Sequence, residues 1–571
     1  GHIDEDEVFP FPWFSQDQKE MAKELTMAVD RFAQDNIDSE KFDIDAKIPE
    51  EVLQGLGELG LCGLAVEEQF GGLELDITLY SRVFQEVAGI DGSIATTLGA
   101  HQSIGYKALL NEGNDEQKSK WLPKLATGES FAAFCLTEPS SGSDAYSIKT
   151  KAKDNGDGNY TINGQKLWIT NGGMAEFYSV FCKTDHELNG KTVEKITCFI
   201  VEKDREGVSF GEKEDKMGIR ASETRAVYFD NVIVPKENIL GEKGKGFKIA
   251  MKVLNMGRLS LGSGSVGGMK AVLKLATNQA KTRKQFNDYI ANFGMIQEKL
   301  ASMAASTYAC ESTIYFTTGK ITQGLEDFSL ESAICKIYCS EKLWDNVDKA
   351  MQIAAGIGYM KEYPYERLMR DSRINLIFEG TNEILRIFTA LSGIKGPSDS
   401  LKELGKVADV SKAIQDPIKS LGVLSNFATK RLGKMVNIKT LSKVHPDLED
   451  LGENFSQMLN DFSIRVENTI MKHGKNIIGN ELPQRRIANM AIELYVMLCT
   501  LSRTTAILNS DNLKEADKEY ALDMTHLVCR DCRQNFMRNS KRLGKNYDKY
   551  VPKISKSVVE RDGYGFDIID F

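Results

Sequence analysis

Ile196-Thr197-Cys198-Phe199-Ile200-Val201 is one of four short runs rich in β-branched and aromatic residues between residues 134 and 240. The others are Tyr160-Thr161-Ile162, Tyr178-Ser179-Val180-Phe181 and Ala226-Val227-Tyr228-Phe229, with Asn, Asp and Gly between them. Such runs predict strands, and the turn residues that separate them predict antiparallel pairing. On both sides the periodicity is helical. Upstream, Met21, Leu25, Ala28, Val29 and Phe32 keep helical spacing, and Pro49 fits a helix start just after Ile48. Gly71-Gly72 and Asn111-Glu112-Gly113-Asn114 interrupt that pattern. Helical periodicity returns from Gly246 to about residue 393. Gly393 to Ser400 then reads as a linker, and a further helical region of about 170 residues follows.

At 571 residues the chain is expected to hold several domains. Its apolar (42%) and charged (27%) fractions are those of an ordinary globular protein. A net charge of −9 argues against a general nucleic-acid binder. No uninterrupted apolar run approaches the length that spans a bilayer, so any membrane contact is expected to be peripheral. Ten cysteines in a chain this long are no disulfide framework; several, such as Cys62, Cys135 and Cys198, lie in apolar stretches and read as reduced thiols. His526, Cys529 and Cys532 have the residue types of a metal site, but no second ligand pair follows and their spacing fits one helix, so no metal is expected. No Gly-x-Gly-x-x-Gly follows a strand, which leaves a Rossmann site without support. Gly1-His2-Ile3 resembles an expression scar and no transit peptide is visible, so a trimmed chain is expected.

The chemistry concentrates in Arg373-Ile-Asn-Leu-Ile-Phe-Glu379-Gly-Thr-Asn-Glu-Ile-Leu-Arg386. One carboxylate, Glu379, stands behind an apolar run and directly before Gly380. Burial among Leu376, Ile377 and Phe378 would raise its pKa, because desolvation disfavours the charged form. A carboxylate so raised is a better base for a weakly acidic C–H. Gly380 permits close approach to the backbone, and Thr381 and Asn382 offer polar side chains there. On this segment alone the other reading is a strand-to-helix turn with Thr381 or Asn382 as N-cap.

Two more segments bear on that choice. Phe134-Cys-Leu-Thr137-Glu-Pro-Ser-Ser-Gly-Ser143-Asp144 follows an apolar run, and Gly164-Gln-Lys-Leu-Trp168-Ile-Thr170-Asn-Gly-Gly173 comes about 25 residues later. Together the three segments resemble the acyl-CoA dehydrogenase family over nearly the whole chain. The resemblance implies a fold that is mainly α with a central β domain. Residues 1–133 would form an N-terminal α-helical domain, 134–245 an antiparallel β domain, 246–395 a four-helix bundle and 396–571 the α-helical extension of the very-long-chain members. Val444-His445-Pro446 and the ending from Ile554 to Arg561 are similar to theirs.

The resemblance also implies function: oxidation of an acyl-CoA thioester to the trans-2-enoyl-CoA with FAD. Glu379 would take the α-proton while a hydride passes to flavin N5, the enolate being held by the Glu379 backbone N–H and a ribityl hydroxyl. Some members carry their base on another helix; here that position is Gly257, which leaves Glu379. Phe134, Leu136, Thr137 and Ser143 match the loop around the isoalloxazine, with Ser143 also a substrate contact. Trp168 would shield the flavin face, with Ile169 beside it and Thr170 near N5. Arg283 and Phe286, in Thr282-Arg-Lys-Gln-Phe286, match a segment that reaches the pyrophosphate in the neighbouring subunit. Gln352, Ala355 and Gly356 match a loop at the adenosine end, where Ala355 replaces a family glycine. Thr381, Asn382 and Glu383 complete the cofactor set. These cross-subunit contacts imply a homodimer. Phe378, Gly380, Asn255 and Arg258 match substrate contacts, although Arg258 also reads as a helix-surface residue.

Small residues at Thr96, Gly99 and Ala100, in Ala95-Thr-Thr-Leu-Gly-Ala-His-Gln102, suggest a deep channel for long or very long acyl chains; tight helix packing is the other reading. In the extension, Leu421, Leu424, Ala428, Leu432 and Met435 share a helical face, with Lys419, Lys430 and Lys434 opposite and Arg431 at its edge. That pattern fits an interfacial basic helix or an ordinary docking helix; the resemblance favours peripheral contact with the inner mitochondrial membrane, on its matrix side. Electron-transfer flavoprotein is the implied acceptor. Two other functions compete. One is a scaffold role in respiratory complex I assembly, known for a paralogue of the very-long-chain members. The other is an acyl-CoA oxidase, with oxygen as acceptor.

Overall fold

The computed structural model describes residues 3–407 and 440–570. They form two compact units, Phe11–Leu385, and Gly1–Pro10 with Arg386–Phe571. The two compact units divide after Leu385. The first residues belong with the extension because Val8 and Phe9 are buried there. Ser502 Oγ donates to the Val8 carbonyl at 2.6 Å, and the Glu5 carboxylate accepts the Ser442 and Lys443 amides at 2.7 and 2.9 Å.

The core unit begins with seven helices: α1 (Gln16–Asn36), α2 (Ser39–Asp45), α3 (Glu50–Glu58), α4 (Ile77–Ile90), α5 (Gly92–Gly99), α6 (Lys107–Glu112) and α7 (Asp115–Thr127). Their starts follow capping chemistry. Ser15 and Asn114 make capping boxes, Asp76 and Asp91 accept first-turn amides, and Pro49 precedes α3. The buried face of α1 is Ala22, Thr26 and Val29, with Leu25 and Phe32 packed against it, whereas Met21 is exposed. A helix offers one stripe of about three residues per two turns to a core, and Met21 falls at its edge.

Eight strands follow: β1 (Ala132–Cys135), β2 (Lys151–Asp154), β3 (Asn159–Thr170), β4 (Phe177–Leu188), β5 (Lys191–Glu202), β6 (Val208–Phe210), β7 (Thr224–Pro235) and β8 (Ile239–Leu240). The order β6-β7-β3-β2-β4-β5-β8 is antiparallel apart from β2 with β4, and β1 adds to β4 in parallel. The purely antiparallel expectation thus fails at two pairings. Long connections separate β1 and β2 from β4 in the chain, which permits parallel pairing. β3 loses register against β7 twice, between Ile162 and Gly164 and between Lys166 and Ile169. The first irregularity requires glycine: at Gly164 φ is +150°, and a Cβ would lie 2.5 Å from Thr150 Oγ1. The second contains Trp168 at φ +55°.

Long helices return as α8 (Gly246–Thr282), α9 (Gly294–Thr322) and α10 (Ser329–Ala354), which pack on one another, and α4 packs along α8. The hairpin β9 (Lys284–Gln285) and β10 (Asp288–Tyr289) joins α8 to α9. α11 (Tyr365–Arg373) leads to α12 (Asn382–Val407). Gly393 to Ser400 is therefore helical, not an irregular linker. Ala390 and Ile394 are buried with Val466, Ile470 and Ile487 of the extension unit, and that packing carries the helix onward.

In the extension, helices Glu449–His473, Glu481–Leu508 and Glu515–Gly544 pack together. Glu481–Leu508 is long and apolar enough to cross a membrane by length and composition, contrary to the reading of the sequence. Its most apolar window is 72% buried in the protein, so its apolar residues serve the unit's own core. His526, Cys529 and Cys532 share one helix, and among the described residues no group of three or more His, Cys, Asp or Glu side chains is placed to hold a metal ion. The expected amphipathic stretch, Leu421 to Met435, lies outside the described residues.

A buried ion pair ties the β1–β2 connection to β3. Lys166, fully buried, donates to Glu138 Oε1 at 2.8 Å and to the Leu136 and Phe181 carbonyls at 3.1 and 2.8 Å. Glu138 also accepts the Lys149 and Thr150 amides. Lys166→Met should cost about 3–5 kcal/mol, because it leaves a buried carboxylate without its cation. The free energy of chemical denaturation of the holoenzyme measures this.

Candidate active site

No strand precedes Glu379. α11 ends in a 3-10 turn, Ile374–Leu376, and α12 begins at Asn382, so the segment joins two helices. Glu379 and Gly380 are consecutive left-handed residues, at φ +58° and +92°. For glutamate this conformation carries strain that the surroundings must hold. The Thr381 hydroxyl accepts the Ile384 amide at 3.3 Å and caps α12. Asn382 is buried, and its side chain is spent within the protein, accepting from Lys336 at 2.7 Å and donating to Ser340 at 3.1 Å. Glu383 is exposed.

The carboxyl is desolvated, though not by the residues expected. Ile377 is exposed, and Leu376 and Phe378 are half-buried. The close neighbour is Gly257 of α8: a Cβ there would sit 2.8 Å from Glu379 Oε2 and 2.8 Å from Ile104. Glu379 Oε2 is buried and has no hydrogen-bond partner. Burial pushes its pKa up to about 7, while the Arg258 and Lys336 cations pull the other way. Arg258 is itself buried and is no surface residue. Its Nε donates to the Glu379 carbonyl at 3.2 Å and its Nη1 to Asn255 Oδ1 at 2.8 Å.

Glu379 lies at a cavity between α4, α5, α8 and the segment after α11. Of the residues singled out in the sequence, Thr96, Gly99, Ala100, Thr170 and Phe378 line it with Glu379. Gly99 satisfies both readings, since it faces the cavity and a Cβ would meet Phe84 at 3.2 Å. On α8 the lining runs from Gly257 through Leu261, Gly264 and Gly268 to Val272. The fifteen helical steps from Gly257 to Val272 make that wall about 22 Å long.

The other expected cofactor-binding residues do not line this cavity. The Leu167 amide donates to the Thr137 carbonyl at 2.9 Å, joining the Phe134–Asp144 segment to the bulge that carries Trp168. Leu136 and Ile169 are buried, Phe134 is half-buried, and Ser143 is exposed. Arg283 closes α8, and Phe286 is 91% exposed at the tip of the β9–β10 hairpin. Gln352, Ala355 and Gly356, at the end of α10, are exposed. Ala355 has φ +54° and ψ −132°, a region that favours glycine, so its methyl costs backbone strain rather than crowding. The sequence reading missed Lys336, whose single trace is a lysine inside the apolar run from Ile334 to Cys339.

Three domain families match in succession: acyl-CoA dehydrogenase N-terminal domain at 19–129, middle domain at 133–232 and C-terminal domain at 244–392. The chain belongs to the acyl-CoA dehydrogenase family. A fourth, ACAD9/ACADV C-terminal domain, matches residues 446–564. The chain is 45% identical to the very long-chain specific acyl-CoA dehydrogenase, mitochondrial, of Rattus norvegicus, over 89% of this chain and 78% of that one. It is 41% identical to the Homo sapiens protein of the same name, over 99% and 87%. The crystal structure of an acyl-CoA dehydrogenase complexed with FAD from Bacillus anthracis superposes with a TM-score of 0.80 at 33% identity, covering 97% of this chain and 93% of that one. The protein is an acyl-CoA dehydrogenase with FAD as cofactor.

The residues present fit that cofactor. Trp168 is held in a left-handed bulge with its indole 63% exposed, an unusual placement that a planar ring system would cover. The Thr137 and Thr170 hydroxyls make no hydrogen bond among the described residues, and Thr170 shares its cavity with Glu379.

The Glu379 carboxyl should titrate near pH 7, protonated below and ionised above, where an ordinary glutamate titrates near 4.5. Infrared difference spectra of the parent against Glu379→Gln follow that single carboxyl band with pH.

Proposed function

We propose that the protein catalyses α,β-dehydrogenation of long and very long acyl-CoA thioesters to trans-2-enoyl-CoA, with Glu379 abstracting the α-proton. The observation that carries this is a desolvated carboxyl at an apolar cavity whose α8 wall is about 22 Å long. A base of pKa about 7 is matched to neutral pH: enough of it is ionised, and it is stronger than an exposed glutamate. Oε2, lacking any partner, is free to receive a proton. The Glu379 amide N–H also makes no hydrogen bond within the described chain, which suits a donor to the thioester oxygen as enolate charge develops. Bound FAD supplies the acceptor for the β-hydrogen. Phe134, Thr137, Trp168 and Thr170 would hold the flavin ring, and Arg283, Gln352 and Gly356 would meet the cofactor of a second subunit.

The relatives named mitochondrial support a mitochondrial place for this chain; electron-transfer flavoprotein as acceptor, a homodimeric assembly and peripheral contact with the inner membrane on its matrix side are further parts of the proposal. Small residues in the lining, among them Ala95, Thr96, Gly264 and Gly268, support long acyl groups.

Anaerobic flavin bleaching with a ladder of saturated acyl-CoAs tests the reaction. Glu379→Gln should keep FAD and slow bleaching by roughly 10²–10⁴-fold. Near-normal bleaching would refute the base. Bleaching of the parent should weaken below neutral pH as Glu379 gains its proton. Thr96→Phe should abolish bleaching by the longest substrates and spare shorter ones; an unchanged ladder would place the acyl tail elsewhere.

A further inference from the structure

Two buried cations hold the left-handed turn, one on each successive carbonyl. Arg258 Nε donates to the carbonyl of Glu379 at 3.2 Å, and Lys336 Nζ donates to that of Gly380 at 2.9 Å. Lys336 is the more unusual of the two. It is fully buried in the middle of α10. Its two hydrogen-bond acceptors, the Gly380 carbonyl and Asn382 Oδ1, are both neutral. Lys166, the other fully buried lysine described above, has a carboxylate and two carbonyls. A buried ammonium bonded to no carboxylate costs free energy that an apolar residue at the same site would not. Its burial pushes the Lys336 pKa down to about 7, in the direction that cost implies.

What the cost secures is local. Glu379 and Gly380 carry positive φ, so the turn is stable only if its peptide groups are fixed from outside. Gly380 sits directly after the base, and Asn382 opens α12. Asn382 in turn donates to Ser340 and Glu341, one turn of α10 beyond Lys336. Lys336 therefore ties both ends of the segment 380–382 to one rigid helix. The same charge lies near the carboxylate of Glu379 and favours its ionised form.

We propose that Lys336 is the positioning residue of the base: it fixes the Glu379–Gly380 turn so that the carboxylate points at the substrate α-carbon. This rests on the reading of Glu379 as base. Misplacement of a reacting group by about 1 Å costs up to roughly 10²-fold in rate, so loss of the clamp should appear in the chemical step rather than in binding.

A double-mutant cycle on the FAD-loaded enzyme tests it, with anaerobic stopped-flow reduction by palmitoyl-CoA as the readout. Lys336→Met should keep its FAD, lower the limiting reduction rate by about 10-fold or more, and change the half-saturating substrate concentration by less than about 3-fold. In a Glu379→Gln background the same change should cost less than about 2-fold, because the group it positions is gone. An unchanged limiting rate in Lys336→Met, or an equal loss in both backgrounds, overturns the proposal and leaves Glu379 as base. Near-normal reduction in Glu379→Gln alone overturns the underlying reading instead. Should Lys336→Met fail to fold, Asn382→Ala removes one of the two acceptors: a slower limiting rate with intact flavin absorbance supports the clamp, and an unchanged rate overturns it.

Discussion

A carboxyl group kept out of water is the constraint around which the core unit is organised. Desolvating Glu379 requires that nothing polar reach Oε2, and the closest wall is Gly257, where even a methyl would collide. Desolvation alone would leave the group protonated and inert. Arg258 and Lys336 oppose it, and the balance falls near neutrality. Both cations bond backbone carbonyls of the turn rather than the carboxylate itself. They can thus shift the charge balance and hold the turn without occupying the atom that must receive the proton.

The same division between fixing and reacting atoms recurs on the β side. The Glu138–Lys166 pair satisfies its own groups almost entirely within the protein. It fixes the connection after β1 against β3 at the point where β3 loses register. The bulge then holds Trp168 outward and brings Thr170 to the cavity that Glu379 faces. A sheet in perfect register would send alternate side chains to opposite faces with no such freedom. The irregularity is what lets one strand belong to the β core and also furnish a cavity.

Much of this was legible in the sequence, and the limits have physical causes. The four strand runs lie within β3, β4, β5 and β7, and Pro49 marked the start of α3, because both signals are local. Glu379 stood out because its apolar neighbours suggested burial. Its real neighbours, Ile104 and Gly257, are more than 100 residues away in the chain. Lys336 went unnoticed for the same reason: its partners lie 44 and 46 residues downstream, and the register between α10 and the turn is not written in either segment. Parallel pairing of β1 and β2 with β4 was likewise hidden, since the runs themselves carry no sign of direction.

The extension shows where composition misleads in both directions. Gly393 to Ser400 has the residues of a linker, yet the backbone there is helical, since two turns of apolar contact through Ala390 and Ile394 outweigh local propensity. Glu481–Leu508 has the hydropathy of a membrane span, yet Met490, Val496, Met497 and Leu501 are fully buried in the protein. A helix covered on most sides by its own unit has little apolar surface left to offer lipid. The apolar content of this helix is therefore accounted for by the extension's core. The peripheral membrane contact proposed for this chain would draw on residues outside this helix.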